Sequence, residues 1–200
     1  MLIAFEGLDQ SGKETQARTL GERLTSAGYH VHALSFPDYD TPIGQELRRA
    51  LDGQHDFMPD VMQLLYVANR LEWLPKLAGW LAAGDIVICD RYRASSVAYG
   101  EAQGLDAAWL LDIQRGLPAP DLTLFLDIAP NTAVVRKSKG RDRFERDLEL
   151  LSRVRTSYRR QAAGQGWVLI DGEAPKPDVA RAVDAAVLPR LAPPSAPSRP

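Results

Sequence analysis

The chain has 200 residues, of which 45% are hydrophobic, enough for one globular domain with a substantial core. Its formal net charge of −2 argues against a general attraction to nucleic acid or membranes. We expect no membrane span, because no apolar stretch approaches the roughly 18 residues that one needs. No basic leader precedes the first motif, and we therefore expect a soluble, cytoplasmic protein. The single cysteine, Cys89, excludes an intrachain disulfide and is better explained as a packing residue than as a nucleophile.

Five short apolar runs predict buried strands, and they occupy residues 2–5, 31–36, 85–89, 122–128 and 167–170. Segments with helical spacing lie between them, at 13–27, 43–52, 59–82, 94–115, 131–137, 145–163 and 176–190, with a break near Gly104 in the fourth. Strands that alternate with helices indicate an α/β fold, with a five-stranded parallel sheet flanked by helices. We expect a single domain over residues 1–191, followed by a Pro/Ser-rich, disordered tail at 192–200.

The first predicted strand leads into a glycine-rich loop. Gly7 and the Gly12-Lys13 pair have the spacing of a P-loop, in which backbone N–H groups and a lysine hold phosphates. A helix follows at once, and its N-terminus adds positive potential. The pattern then asks for Ser or Thr to hold Mg²⁺, whereas this chain has Glu14. A plain glycine-rich turn is the alternative, but strand, turn and helix in this order favour the P-loop.

Asp90 and Arg91 follow the third predicted strand directly. Functional residues of a parallel sheet collect at the carboxyl ends of its strands. An Asp in this position beside a P-loop commonly holds Mg²⁺, directly or through water, and Arg is suited to gripping phosphate oxygens. An ordinary strand-ending Asp, as we expect for Asp127, is the alternative.

Positive charge is concentrated late in the chain: residues 136–160 contain ten Lys or Arg and four Asp or Glu. We expect a solvated helical face for four of the arginines, namely Arg153, Arg155, Arg159 and Arg160. The segment 136–143 differs, because it contains Gly140 and has no apolar periodicity. It predicts a lid, at about residues 136–144, that closes over transferring phosphates.

Together these motifs resemble the thymidylate kinase family of nucleoside monophosphate kinases, over nearly the whole chain. The matching segments are FEGLDQSGKETQ at 5–16, FPDY at 36–39, Ala68-Asn69-Arg70, DRYxxSxxAY at 90–99 and Asp-Arg-Phe-Glu at 142–145. Five such segments in order are specific, although none is decisive alone. The resemblance implies the P-loop kinase fold and transfer of the γ-phosphoryl group of ATP to dTMP, giving dTDP and ADP.

The resemblance also implies a donor site for ATP and Mg²⁺. In it Lys13 and the loop amides hold the β- and γ-phosphates, Asp90 anchors Mg²⁺ and Arg136 packs on adenine. The implied ATP-binding residues are Gly7, Leu8, Asp9, Gln10, Ser11, Gly12, Lys13, Glu14, Thr15 and Arg136. Either the Glu14 carboxylate binds the metal or it turns to solvent; we favour the second, because its length would crowd a site shaped for Ser.

The implied acceptor site for dTMP consists of Asp9, Phe36, Tyr39, Tyr66, Arg70, Arg91, Ser96 and Tyr99. Arg91 bridges the two phosphates, and Asp9 orients the substrate end. Tyr66 stacks on thymine and Arg70 donates to a ring carbonyl, both from one helical face. The alternatives are a core aromatic for Tyr66 and a surface ion pair with Glu72 or another acid for Arg70.

The other acceptor residues have simpler implied roles. Ser96 faces the base, and the bulk of Tyr99 disfavours a ribose 2′-hydroxyl. Phe36 and Tyr39 wall the site. Gly100 stands where many family members have a polar residue, which weakens the inference about the base.

Family members differ in the source of an additional catalytic arginine, which comes from either the P-loop or the lid. Gln10 follows Asp9 here, so the resemblance implies the lid-arginine type common among bacteria. Arg141 and Arg143 are the candidates, and we favour Arg141. The resemblance further suggests a homodimer, with the apolar helix at 59–82 as a plausible interface.

Two other functions remain open at this point. One is a kinase for another deoxynucleotide such as dUMP, which lacks only a methyl group. The other is a nucleotide-binding regulator that has lost catalysis through Glu14, although a passive binder has no need of lid arginines.

Overall fold

The computed structural model describes residues 1–136 and 147–193. Its five strands form one parallel sheet: β1 (Leu2–Glu6), β2 (Val31–Ser35), β3 (Ile86–Asp90), β4 (Leu122–Asp127) and β5 (Val168–Asp171). The helices are α1 (Lys13–Ser26), α2 (Pro42–Leu51), α3 (Pro59–Leu71), α4 (Leu74–Ala82), α5 (Arg93–Ala102), α6 (Ala107–Asp112), α7 (Pro130–Arg136), α8 (Leu148–Gln165) and α9 (Lys176–Val187), with a 3₁₀ turn at Leu188–Arg190. The predicted fold class is confirmed.

The strand order β2-β3-β1-β4-β5 puts β1 in the centre of the sheet, buried along its whole length. Strands β1 and β3 are neighbours, with Phe5 paired to Asp90. Because parallel strands end at the same edge, the loop after β1 and the residues after β3 meet there.

The segment predicted as one helix at 59–82 is two helices, α3 and α4. Pro75 explains the break, because proline has no N–H to donate to the Leu71 carbonyl and its ring clashes with that group. The expected interruption near Gly104 is confirmed, since α5 and α6 are separate helices and Gly104 has a φ of +89°.

Apolar side chains cover both faces of the sheet. One cluster joins β1 and β4 to α1 and α9, and includes Leu20 and Val183. A second joins β4 to α5 and α8, and includes Phe125 and Tyr158. Cys89 is fully buried in a third cluster, where burial raises the pKa of its thiol; the predicted packing role is confirmed. In the described part of the chain, no helix is both long and apolar enough to cross a membrane.

Candidate active site

The loop after β1 has the backbone geometry of a phosphate cradle. Gly7 has a φ of +143°, and a Cβ there would lie 2.4 Å from the Leu126 carbonyl oxygen. Gly12, at φ +96°, begins α1 without a side-chain cap, so the first N–H groups of the helix remain available. The Lys13 ammonium is buried and donates to the Leu8 carbonyl at 2.8 Å. Burial and the nearby Arg91 cation lower the Lys13 pKa.

This loop forms one wall of a donor cavity. The cavity is lined by Asp9, Gln10, Ser11, Gly12, Lys13, Glu14, Thr15, Gln16, Asp90, Arg91, Arg136, Gly172, Ala174, Lys176 and Val179. Arg136 lies across its mouth and donates to the carbonyls of Gln10 at 3.2 Å and Gly172 at 2.9 Å. The predicted Arg136 is therefore placed between the phosphate loop and the segment after β5.

Asp90 has the property expected of a cation ligand. Its Oδ1 is buried and has no hydrogen-bond partner among the described residues, and the side chain lines the donor cavity. An unpaired buried carboxylate oxygen is costly unless a cation or donor satisfies it. Glu14 is exposed at the edge of the same cavity. The donor cavity therefore presents a buried, unpaired carboxylate oxygen of the kind that fits a magnesium ion.

Arg91 is the most connected side chain of the site. Its backbone adopts a φ of +64° directly after β3, a region that few non-glycine residues occupy. One guanidinium nitrogen donates to Asp9 Oδ1 at 2.6 Å, and Tyr99 donates to the other oxygen of Asp9 at 3.1 Å. Burial alone would raise the pKa of Asp9, but the Arg91 and Lys13 cations hold it well below its usual range. The Asp9 carboxylate in turn raises the Arg91 pKa against the effect of burial.

Three buried side chains support Arg91 from behind. Ser95 donates to Glu6 Oε2 at 2.6 Å and Tyr158 donates to the same oxygen at 3.2 Å. Arg91 donates to the Ser95 hydroxyl at 3.2 Å and to the Tyr158 hydroxyl at 3.3 Å. Sequence reasoning missed all three supports. A signal existed for two of them: a carboxylate, Glu6, ends the otherwise apolar strand β1, and Ser95 is the serine of the matched DRYxxSxxAY segment.

A second cavity lies on the other side of Arg91. It is lined by Asp9, Phe36, Pro37, Tyr39, Leu51, Gln63, Tyr66, Arg70, Arg91, Ser95, Ser96, Tyr99 and Gln103. A concave site lined by aromatic side chains and a few convergent polar groups is typical of small-molecule binding. All eight predicted acceptor residues line this acceptor cavity. Asp9 and Arg91 line both cavities.

Arg70 is buried at the inner end of the acceptor cavity, with 3% of its surface exposed. It donates to the Ser96 hydroxyl at 2.8 Å and to the Tyr66 carbonyl at 3.3 Å. Glu72 instead accepts from Asn69, so the alternative of an Arg70–Glu72 surface pair is wrong. Tyr66 is half-buried, lines the cavity and also packs against the cluster of Leu47, Ala50 and Met62.

The segment that carries Phe36 and Tyr39 is tied to α3 by Asn69. The Asn69 amide accepts from the Asp38 N–H at 2.8 Å and donates to the Asp38 carbonyl at 3.0 Å. Gly100 has a packing explanation, because a Cβ there would come within 2.6 Å of the Leu110 side chain. Five further cavity residues were not predicted as site residues: Pro37, Leu51, Gln63, Ser95 and Gln103. The helical spacing from Gln63 to Tyr66 and Arg70 was available as a signal for one of them.

The solvated face expected for the α8 arginines is partly wrong. Arg155 and Arg159 both donate to Asp127 at the end of β4, and only 25% of the Arg155 side chain is exposed. Two arginines of one helix therefore anchor it to the sheet through a single carboxylate. Arg153 and Arg160 pair with Glu149 and Glu101. Arg141, Arg143 and the predicted lid beyond Arg136 lie outside the described residues, as do residues 194–200 of the predicted tail.

The chain is similar to known proteins over most of its length. A family model described as thymidylate kinase matches residues 5–183. A thymidylate kinase of Schizosaccharomyces pombe is 34% identical over 183 residues, covering 89% of this chain and 87% of that protein. The human thymidylate kinase is 38% identical over 145 residues, covering 72% and 68%.

A solved thymidylate kinase structure from Candida albicans superposes with a TM-score of 0.85 at 29% identity, covering 94% of this chain and 91% of that one. That enzyme is described as having a broad substrate specificity. The motifs, the two-cavity geometry and these similarities agree. The chain belongs to the thymidylate kinase family and is an ATP-dependent nucleoside monophosphate kinase.

Proposed function

We propose that the chain phosphorylates dTMP at its 5′-phosphate, with the donor cavity for ATP and the acceptor cavity for dTMP. The supporting observation is that Asp9 and Arg91 line both cavities. An oxygen of the dTMP phosphate bonds to the γ-phosphorus of ATP, and the bond from that phosphorus to the bridging oxygen breaks, leaving ADP. No general base is required, because the attacking phosphate is already anionic. The protein's task is then to align two phosphates and neutralise their charge.

On the donor side, Lys13 and the open N–H groups of the loop would hold the β- and γ-phosphates. Lys13 now donates to the Leu8 carbonyl and would exchange that partner for a phosphate oxygen. Asp90 would hold Mg²⁺, which when bound supplies positive charge against the phosphates. The exposed position of Glu14 supports the interpretation in which its carboxylate turns to solvent. Arg136 would cover the adenine end.

On the acceptor side, Arg91 would grip the phosphate that receives the transferred group. Its guanidinium is held from behind by Ser95 and Tyr158, so little conformational freedom is lost on binding. Tyr66 would stack on the base while Arg70 donates to a ring carbonyl. Phe36 and Tyr39 would wall the site and Ser96 would face the base. Tyr99 would face the sugar from its position beside Asp9.

The lid is proposed to supply a further cation, from Arg141 or Arg143. Gln10 occupies the P-loop position where an arginine would otherwise serve, and its side chain carries no charge. The relatives described above are eukaryotic, so the assignment to the lid-arginine type of bacteria is a proposal from the residues alone.

A homodimer is proposed through the outer face of α3. Four large apolar side chains at or near this helix are exposed by 38–71%: Met58, Val61, Leu64 and Leu71. Such a patch is typical of a protein interface. Sedimentation of the pure protein would measure the assembly, and a monomer at micromolar concentration would contradict the proposed dimer.

We also propose a cytoplasmic location, because ATP and nucleoside monophosphates are intracellular metabolites.

The function is tested by an ADP-release assay with Mg·ATP and dTMP, dUMP, dGMP, dCMP or AMP in parallel. We expect turnover with dTMP to exceed that with the other acceptors. A preference for another base would overturn the assigned substrate. No turnover with any acceptor would overturn the proposed catalytic function and favour a nucleotide-binding regulator that has lost catalysis.

A further inference from the structure

Gln63 is a fully buried glutamine whose side-chain amide has no hydrogen-bond partner among the described residues. Its exposed fraction is 0%, and both Nε2 and Oε1 are unpaired. The side chain lines the acceptor cavity. A buried amide left unpaired destabilises a protein, whereas an apolar side chain of the same shape would pack without that loss. An unpaired amide in this position therefore points to a partner that enters the cavity.

Other buried glutamines of the described chain differ in this respect. Gln16, Gln114 and Gln161 each donate to a backbone carbonyl through Nε2. Gln103, in the same cavity as Gln63, donates to the Tyr99 carbonyl. Gln63 alone among these five has neither its donor nor its acceptor satisfied. The missing hydrogen bonds of Gln63 are therefore specific to its position and are not a general feature of glutamines in this structure.

Gln63 shares a helical face with the two residues assigned to the base. Tyr66 and Arg70 lie three and seven residues further along α3, a spacing that stacks side chains along one side of a helix. All three line the acceptor cavity. A base stacked on Tyr66 would then have Gln63 on one side and Arg70 on the other.

The chemistry of the amide specifies what it would bind. A carboxamide presents one donor group and one acceptor side by side. Thymine and uracil present the complement, an N3–H between two ring carbonyls. Arg70 is a donor only and can serve a carbonyl but not an amino group. We propose that Gln63 is a specificity-determining residue whose amide pairs with N3–H and one adjacent carbonyl of the acceptor base, while Arg70 donates to the other carbonyl.

This proposal rests on the proposed function and narrows its substrate class to pyrimidine nucleotides with an intact imide. dTMP and dUMP share that edge, so Gln63 does not separate them. Cytosine has an amino group in place of one carbonyl and lacks N3–H, so it would set a donor against either Arg70 or the Gln63 NH₂ group and an acceptor against Gln63 Oε1. A methyl group on N3 would remove the donor that Gln63 Oε1 accepts and would clash with the amide.

The test replaces Gln63 by Met, which has a similar length and no hydrogen-bonding amide. We expect the KM for dTMP and for dUMP to rise by the same factor, about tenfold or more for two lost hydrogen bonds, with the KM for ATP unchanged. The melting temperature of the free protein should stay the same or rise, because the unpaired amide is removed.

Gln114→Met is the matched control, since Gln114 is also fully buried but lines neither cavity. Its Nε2 is bonded to the Leu110 carbonyl at 2.8 Å, although its Oε1, like that of Gln63, has no partner among the described residues. This variant should have a lower melting temperature and an unchanged KM for dTMP. The two glutamines thus predict opposite pairs of results.

A folded Gln63→Met enzyme with an unchanged KM for dTMP would overturn the proposal. So would a loss confined to dTMP, because the contact would then involve the 5-methyl side of the base. Should the variant not fold, the wild-type enzyme still decides: we expect N3-methyl-dTMP to be a poor acceptor, and equal use of it and dTMP would overturn the proposal. If the wild-type enzyme does not use dTMP at all, it is the proposed function that fails.

Discussion

The donor and acceptor cavities are built in different ways. Eight of the fifteen donor-lining residues are the consecutive residues 9–16, contributed by one loop and the first turn of α1. The acceptor cavity draws on the phosphate loop, the segment after β2, the end of α2, helix α3 and helix α5. Most of the donor cavity is therefore formed by residues that are consecutive in the sequence, whereas the acceptor cavity is formed by separate segments that pack together.

The difference follows from the ligands. Phosphates are recognised by charge and by backbone N–H groups, which any sequence with the right turn can supply. A base is recognised by side chains aimed at its edges, and their direction depends on what they pack against. Arg91 belongs to both cavities, because it lies between them. It donates hydrogen bonds to Asp9 and to the buried network around Glu6.

The largest effect is expected at Arg91, because a substitution there changes both cavities at once. We expect Arg91→Ala to lower kcat by about 10²- to 10³-fold, the range seen when a transition-state donor is removed. Arg91→Lys should recover little, because an ammonium cannot reproduce the forked set of donors. Steady-state kinetics with ATP and dTMP varied separately measures this.

Arg115→Ala is the control, since Arg115 is exposed and pairs only locally with Asp112. Its kinetics should match those of the wild-type enzyme. An Arg91→Lys enzyme with wild-type kcat would show that a point charge suffices there.

A smaller effect, confined to the acceptor substrate, is expected at Arg70, because Arg70 lines the acceptor cavity and not the donor cavity. Arg70→Ala should raise the KM for dTMP by roughly 10- to 100-fold, as for loss of a hydrogen bond from a charged group, and leave the KM for ATP unchanged. Because Arg70 is buried and bonded to Ser96, the melting temperature is measured alongside. An equal loss for both substrates would mean that its role is structural.

The smallest effect is expected at Glu14, on the donor side. Glu14→Ser should leave the dependence of rate on Mg²⁺ concentration nearly unchanged, because the Glu14 side chain is exposed while Asp90 Oδ1 is buried and unpaired. A titration of Mg²⁺ at fixed ATP checks this, with Glu22→Ser as an exposed acidic control on the same helix. A large rise in the magnesium requirement of Glu14→Ser alone would identify Glu14 as a ligand.

Prediction from sequence worked best where chemistry is local. The strands were predicted to within two residues, since buried parallel strands are short apolar runs. The helix at 59–82 was predicted as one because the effect of Pro75 was overlooked. Arg155 was predicted on a solvated face because nothing in the local sequence shows that the strand end at Asp127 packs beside α8.

In the acceptor site, some residues were predicted from the sequence and others were missed. Tyr66, Arg70, Ser96 and Tyr99 were predicted from a family resemblance, and all line the cavity. Tyr158 was missed because a hydroxyl on a helix has no signature of its own. Ser95 and Gln63 were missed although the segment at 90–99 contains the first and helical spacing links the second to Tyr66 and Arg70.

Apolar runs and glycine-rich turns act over a few residues. The α/β class, the phosphate loop and the position of Asp90 and Arg91 at a strand end could therefore be predicted from the sequence alone. The packed structure was needed to show that Glu6, Ser95 and Tyr158 hold Arg91 and that Asp9 and Arg91 line two cavities at once. It also shows that the Gln63 amide, in the acceptor cavity, is buried without a partner among the described residues. Those facts depend on hydrogen bonds between residues as much as 152 positions apart and on the exclusion of water. Such contacts form when helices pack on a sheet, and no short segment of sequence encodes them.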